Sequence, residues 1–126
     1  MALKTVLIVD KKEIYEWTMT LLDQTARRQE RFIHVLNRFK NKQNSGVEGI
    51  SVFFQNDFEE WDEYRCKDNE IALLTGIGEE RIGYMKLPEF YKLIEQVSQE
   101  HVEWYPENKE NVKHLLKEVK AAFRLD

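Results

Sequence analysis

Three histidines, one cysteine and a dense run of carboxylates are the side chains of this 126-residue sequence whose types carry chemistry. His34, His101 and His114 fall in three separate segments with no His-x-x-x-His pair, and Cys66 has no second cysteine, so no local zinc motif is present. Asp62, Glu63 and Asp68 surround Cys66 in sequence, and neighbouring negative charge raises a thiol pKa where a nucleophile needs it lowered. Asp57, Glu59, Glu60, Asp62 and Glu63 place five carboxylates in seven residues. Such oxygens suit calcium or magnesium, but the alternating acidic loop with its central glycine and closing glutamate is missing. A hydrolytic pair needs one carboxyl in an apolar setting facing a cleft, and a run this dense keeps most of its members in water. Gly76-x-Gly78 lacks the third glycine, the following helix and the Lys-Ser or Lys-Thr of a nucleotide loop. No catalytic residue, no metal site and no cofactor are therefore expected.

What the carboxylates do have is company. Phe58, Trp61 and Tyr64 stand between them, and acids interleaved with large rings suit docking against a basic protein surface. The net charge of −4 is unevenly spread. Residues 11–42 hold eight Lys or Arg against four acids, residues 43–80 hold two against ten, and residues 81–126 balance at eight each. The middle block repels phosphate and attracts a cationic partner; the plainer reading is a solvated face that keeps the protein soluble. Arg27, Arg28, Arg31, Arg38, Lys40 and Lys42 supply the competing possibility, a nucleic-acid-binding or antitoxin-type regulator working through the first helical segment.

The elements that position these residues follow from periodicity. Thr5–Asp10 is a short aliphatic run, expected as a buried strand or the first turn of a helix. From Lys11 to Lys42 there is neither Pro nor Gly, and Ile14, Trp17, Leu21, Phe32, Val35, Leu36 and Phe39 recur at helical spacing, as one helix with an exposed middle or as two. Basic residues and Gly46 end that segment, and a loop is expected there. Ile50–Phe54 reads as a half-buried strand, after which Asn56 or Asp57 is placed to cap a short helical turn carrying Glu59 and Glu60, with Trp61 and Tyr64 on one side. Glu70–Thr75 and Arg81–Lys86 flank Gly76–Glu80 as a hairpin. Leu87-Pro88-Glu89 opens a helix with Phe90, Ile94, Val97, His101 and Trp104 on one face. Pro106-Glu107-Asn108 breaks it and starts another, striped by Val112, Leu115, Leu116, Val119 and Phe123.

These elements define one α+β domain over 1–126: a small antiparallel sheet, made of the strand near 50–54 and the hairpin 70–86, packed against an N-terminal helical segment and a C-terminal antiparallel helix pair. The 42% hydrophobic content supports one core and the 33% charged content a solvated exterior. No run approaches the roughly 20 apolar residues of a membrane helix, no secretory leader pattern opens the chain, and a lone cysteine fits a reducing compartment, so cytoplasmic residence is expected.

Over roughly residues 46–120 the sequence also resembles the immunity proteins of bacterial contact-dependent growth inhibition, those called CdiI and paired with ribonuclease toxins. The series that carries the likeness is Gly46-Val47-Glu48-Gly49-Ile50-Ser51-Val52-Phe53-Phe54, then Asn56-Asp57-Phe58-Glu59-Glu60-Trp61-Asp62-Glu63-Tyr64, then Leu87-Pro88-Glu89-Phe90-Tyr91-Lys92-Leu93, then Trp104-Tyr105-Pro106-Glu107-Asn108-Lys109-Glu110 before a closing helix. The resemblance implies a non-enzymatic cytoplasmic protein that binds one cognate toxin domain, with EndoU-type ribonucleases among the candidate targets. On that footing Asp57, Glu59, Glu60, Asp62 and Glu63 are the expected charge donors to the interface, with Trp61 or Tyr64 as its packing anchor.

Overall fold

The computed structural model of the protein describes residues 7–47, 49–76 and 80–125. Thr5 and Val6, Glu48, and residues 77–79 in the expected hairpin connection lie outside the described residues. Among the described residues five strands form one sheet in the order β1-β5-β4-β3-β2: β1 Leu7–Ile8, β2 Ser45–Val47, β3 Ile50–Phe53, β4 Glu70–Thr75 and β5 Arg81–Lys86. β2 to β5 are antiparallel neighbours, and β1 adds to β5 in parallel. The α-helices of the described residues are α1 Lys11–Ala26, α2 Gln29–Lys40, α3 Leu87–Trp104 and α4 Lys109–Ala122. The fold is α+β, with the hairpin and both C-terminal helices at the places their periodicity predicts.

Alternation along the two central strands decides how the layers stack. Ile71 and Leu73 of β4 and Met85 of β5 join the main core with the helices, while Ala72 and Ile82 form a second buried cluster with Cys66 on the outer face. The sheet is therefore apolar on both sides, and helices cover only one of them. Gly83 sits where α1 crosses β5; a Cβ there would lie 2.6 Å from Cδ1 of Ile14 and 3.0 Å from Cγ2 of Val9.

Several local expectations are corrected by tertiary contacts. Asp10 ends the first apolar run by capping α1, its carboxylate accepting from the Glu13 N–H at 3.0 Å. The strand it follows is an edge, not buried: Ile8 is 69% exposed. The stretch expected as a loop after Lys40 enters the sheet within five residues as β2, Ser45 pairing Val52 and Val47 pairing Ile50. The C-terminal helices bury their stripes chiefly on the N-terminal helices, α3 on α1 and α4 on α2, and less on each other. Trp104, placed by spacing on the core face of α3, is 44% exposed and lies under the Arg27 guanidinium at 5.0 Å.

The segment 11–42 is two helices, and the break is held from a distance. Arg28 takes an extended conformation between them. His101 is fully buried, its Nδ1 2.6 Å from the Ala26 carbonyl and its Nε2 3.0 Å from the Asn108 side-chain amide. Because the same Asn108 nitrogen donates to the Gln29 carbonyl at 3.2 Å, the amide orientation is fixed, and His101 must accept at Nε2 and donate from Nδ1. Tyr105 donates its hydroxyl to the Arg27 carbonyl at 2.7 Å. The Ala26 and Arg27 carbonyls, which a continuous helix would satisfy, thus find donors in His101 of α3 and in Tyr105 just beyond its end.

Two outcomes follow for stability. Replacing His101 with Leu leaves the Ala26 carbonyl and the Asn108 amide without their buried partner and is expected to cost about 1–3 kcal/mol in urea unfolding, with Tyr105→Phe costing about 1 kcal/mol. Gly83→Ala forces α1 off β5 and is expected to cost about 1–3 kcal/mol by the same measurement, partly recovered by adding Ile14→Val.

Candidate functional site

The chain turns out of β3 through a 3-10 turn, Gln55–Asp57, and Asp57 fixes that turn. Its Oδ2 accepts from the Phe54 N–H at 2.8 Å and its Oδ1 from the Asn44 side-chain amide at 3.1 Å. Asp57 therefore closes a turn behind it and does not cap a helix ahead of it, and residues 58–69 run as turns with no helix. The helical placement of Glu59 and Glu60 and the shared side of Trp61 and Tyr64 are both corrected by this geometry.

From there the chain makes an arm across the outer face of the sheet. Phe58 folds back against Phe53, ring centroids 5.7 Å apart. Tyr64 packs on the cluster of Cys66, Ala72 and Ile82, and its carbonyl accepts from the Tyr84 hydroxyl at 2.8 Å. Arg65 donates from Nε to the Gln55 carbonyl at 3.2 Å, closing the base of the arm. Asp62 accepts from the Tyr64 N–H at 2.9 Å, so one of its oxygens shapes the turn. Between these fixed points the crest stands in water: Glu59, Glu60 and Glu63 are exposed, and Trp61 is 82% exposed. Among the described residues none of Glu59, Glu60, Asp62 and Glu63 forms a salt bridge.

The seven residues singled out from sequence thus separate by what they touch. Asp57 and Tyr64 hold the arm to its own protein, Asp62 does so with one oxygen, and Glu59, Glu60, Trp61 and Glu63 face outward. Asn44 and Arg65, which sequence reasoning missed, complete the support; their partners lie 13 and 10 residues away and leave no local signal.

The basic residues of the first helical segment are largely engaged within the protein. Arg27 pairs with Asp23 at 3.0 Å, Arg31 donates to the Gly46 carbonyl at 2.6 Å, Arg38 holds the Asn44 carbonyl, and Lys40 pairs with Glu118 at 3.3 Å. Arg31 and Arg38 so fasten α2 to the β2 hairpin, which takes them out of a continuous phosphate-binding stripe. Among the described residues no three of His, Cys, Asp and Glu are grouped to hold a metal ion, and no helix is long and apolar enough to cross a membrane.

Burial under the arm pushes the Cys66 thiol up from 9.0 to about 11, with Glu70 and Asp57 adding to the shift. Burial likewise pushes the Tyr84 phenol up from 10.0 to about 12, with Cys66 and Glu70 adding. Both groups hold protons in the folded state that the unfolded chain releases, so their contribution is intact below pH 9 and is lost as pH rises through the folded values. Urea midpoints are expected to fall between pH 9 and 12, and the fall in the first part of that range to flatten in Cys66→Ala. Cys66 is also expected to react with iodoacetamide at pH 8 far more slowly in the native than in the urea-unfolded protein.

A family model described as CDI immunity protein matches residues 15–116, which takes in most of α1, all of α2 and the stretch from β2 to the middle of α4. Among curated proteins, none matches the chain.

Proposed function

We propose, from the premise that this chain belongs to the CDI immunity protein family, that it neutralises a ribonuclease toxin by docking the crest of the 58–64 arm on the basic surface with which that enzyme holds RNA. Immunity against a toxin is the role the family carries; the ribonuclease class, with EndoU-type enzymes as the first candidates, is the finer part of the reading. The protein acts without catalysis of its own, in the cytoplasm, where RNA is the target to be spared.

One observation carries this reading: Trp61 stands almost bare among Glu59, Glu60 and Glu63, on a segment pinned at both ends to the sheet. Exposing a tryptophan this fully has no folding rationale, whereas rigid aromatic anchors ringed by complementary charge are how tight protein interfaces concentrate their binding energy. A ribonuclease must present cations to phosphate, so carboxylates on a fixed scaffold speed encounter and compete with the substrate's charge. Pre-organisation matters as much as charge. Because Phe58, Tyr64 and Asp57 already hold the arm in place, little ordering remains to be done on binding.

Co-purification with the C-terminal domain of a candidate cognate ribonuclease toxin is the direct test. Reversing Glu59, Glu60 and Glu63 together to Lys is expected to slow association about 10- to 100-fold at low salt, the difference shrinking as salt rises. Trp61→Ala is expected to speed dissociation and weaken affinity about 30-fold, in the range of interface anchors. Unchanged kinetics in both variants, with the complex still forming, would remove the arm from the interface.

A further inference from the structure

Two helices of this protein end in the same uncommon way. After α2, Lys42 has a φ of 51°, its N–H donating to the Phe39 carbonyl at 2.9 Å and that of Gln43 to the Arg38 carbonyl at 2.9 Å. After α4, Arg124 has a φ of 59°, its N–H donating to the Ala121 carbonyl at 3.0 Å and that of Leu125 to the Lys120 carbonyl at 3.0 Å. The left-handed residue of such a closing turn is usually glycine, because a Cβ crowds the backbone there. Among the described residues Lys42 and Arg124 are the non-glycine positions with positive φ, and both line one cleft of about 550 Å³ together with Lys86.

The charge of that cleft runs against the charge of the chain. Among the described residues its lining holds three cations and a single carboxylate, Asp68, in a protein of net charge −4. Lys42 donates to the Asp68 backbone carbonyl at 3.5 Å, and Lys86 pairs with Glu70 at 3.4 Å with half its side chain still exposed. Favourable interaction with the helix dipole does not by itself call for these residues, since Arg38 and Lys40 in α2 and Lys120 in α4 already place cations in the last turns. Pro88 and Leu125 give the cleft apolar surface over the buried Leu87 and Phe123, and Gln55 and Asn56 give it amide groups. Those two amides belong to the turn from which the acidic arm departs, so the basic cleft and the acidic crest adjoin through three residues of chain.

We propose that the cleft receives an acidic segment of the same toxin domain that the arm binds, so that the partner is met by two adjacent surfaces of opposite sign. The inference rests on the toxin-binding reading for its occupant. A carboxylate placed between Lys42 and Arg124, with the segment's backbone against Gln55 and Asn56, satisfies the cations and covers the apolar wall. The cleft is partly open to solvent and not enclosed, which suits a length of chain better than a sequestered small molecule. Paired surfaces of opposite sign also fix one docking orientation, because the reversed pose sets like charges against each other.

The test uses the intact protein labelled with ¹⁵N, titrated with an Asp/Glu hexapeptide and separately with inorganic phosphate. The peptide is expected to shift the amides of Lys42, Asn69 and Arg124 to saturation, with phosphate producing only small, non-saturating shifts. In the double variant Lys42→Gly with Arg124→Gly the melting temperature is expected to hold or rise, since glycine relieves the backbone, while peptide shifts vanish and toxin dissociation speeds about 10- to 100-fold. Peptide shifts and toxin binding that survive in a stable double variant assign the two residues to the helix ends alone and overturn the proposal. Saturation by phosphate as tight as by peptide overturns it too, in favour of a general anion pocket. Loss of toxin binding from the cleft variant with none from reversal of Glu59, Glu60 and Glu63 supports the cleft and sinks the arm; the converse sinks the cleft and keeps the arm.

Discussion

A sheet with two apolar faces must be covered twice, and that constraint organises this protein. The helices can cover only one face, because their stripes are shared with each other and with Ile71, Leu73 and Met85. Ala72 and Ile82, with Leu74 and Tyr84 beside them, need a second layer, and the chain after β3 supplies it. The acidic segment is consequently committed to a place by hydrophobic burial, to which Asp57 and Asp62 add short-range hydrogen bonds. Phe58 and Tyr64 are its contacts with the sheet, and the residues between them have nowhere to go but outward.

That arrangement resolves a tension in the composition. Carboxylates crowded this closely repel one another and would favour a mobile loop, yet here they are displayed from a fixed path. Rigidity comes from short-range devices on either side: the Asp57 carboxylate gripping Phe54 and Asn44, the Tyr84 hydroxyl on the Tyr64 carbonyl, and Arg65 on Gln55. Each of these uses a polar group that would otherwise be buried or frayed, so the same bonds that satisfy the backbone also hold the crest in shape.

How much of this was legible in the sequence depended on how local its cause is. Pro88 and Pro106, with helical stripes on either side, marked α3 and α4 closely, and two β-rich runs about two glycines marked β4 and β5. The strand near Ile50 was rightly joined to that hairpin, but features fixed by particular side-chain partners far along the chain were missed. Acids after Asp57 favour a helix start by local electrostatics, but Phe58 and Tyr64 gain more by lying on the sheet. Ser45–Val47 lacks strand composition and became β2 because Arg31 and Arg38 hold the hairpin to α2. Trp104 sits on a helical face that the core does not reach. The crest residues were found because acids and rings in one short run is a local signal; their division into supporting and outward-facing members was not.

The clamp on the α1–α2 junction carries a consequence in time. His101, Tyr105 and Asn108 reach back 75 to 79 residues to their carbonyls, so the first third of the chain stays unsecured on the ribosome until they have been synthesised. Nascent chains still short of that point have no finished scaffold from which to display the arm.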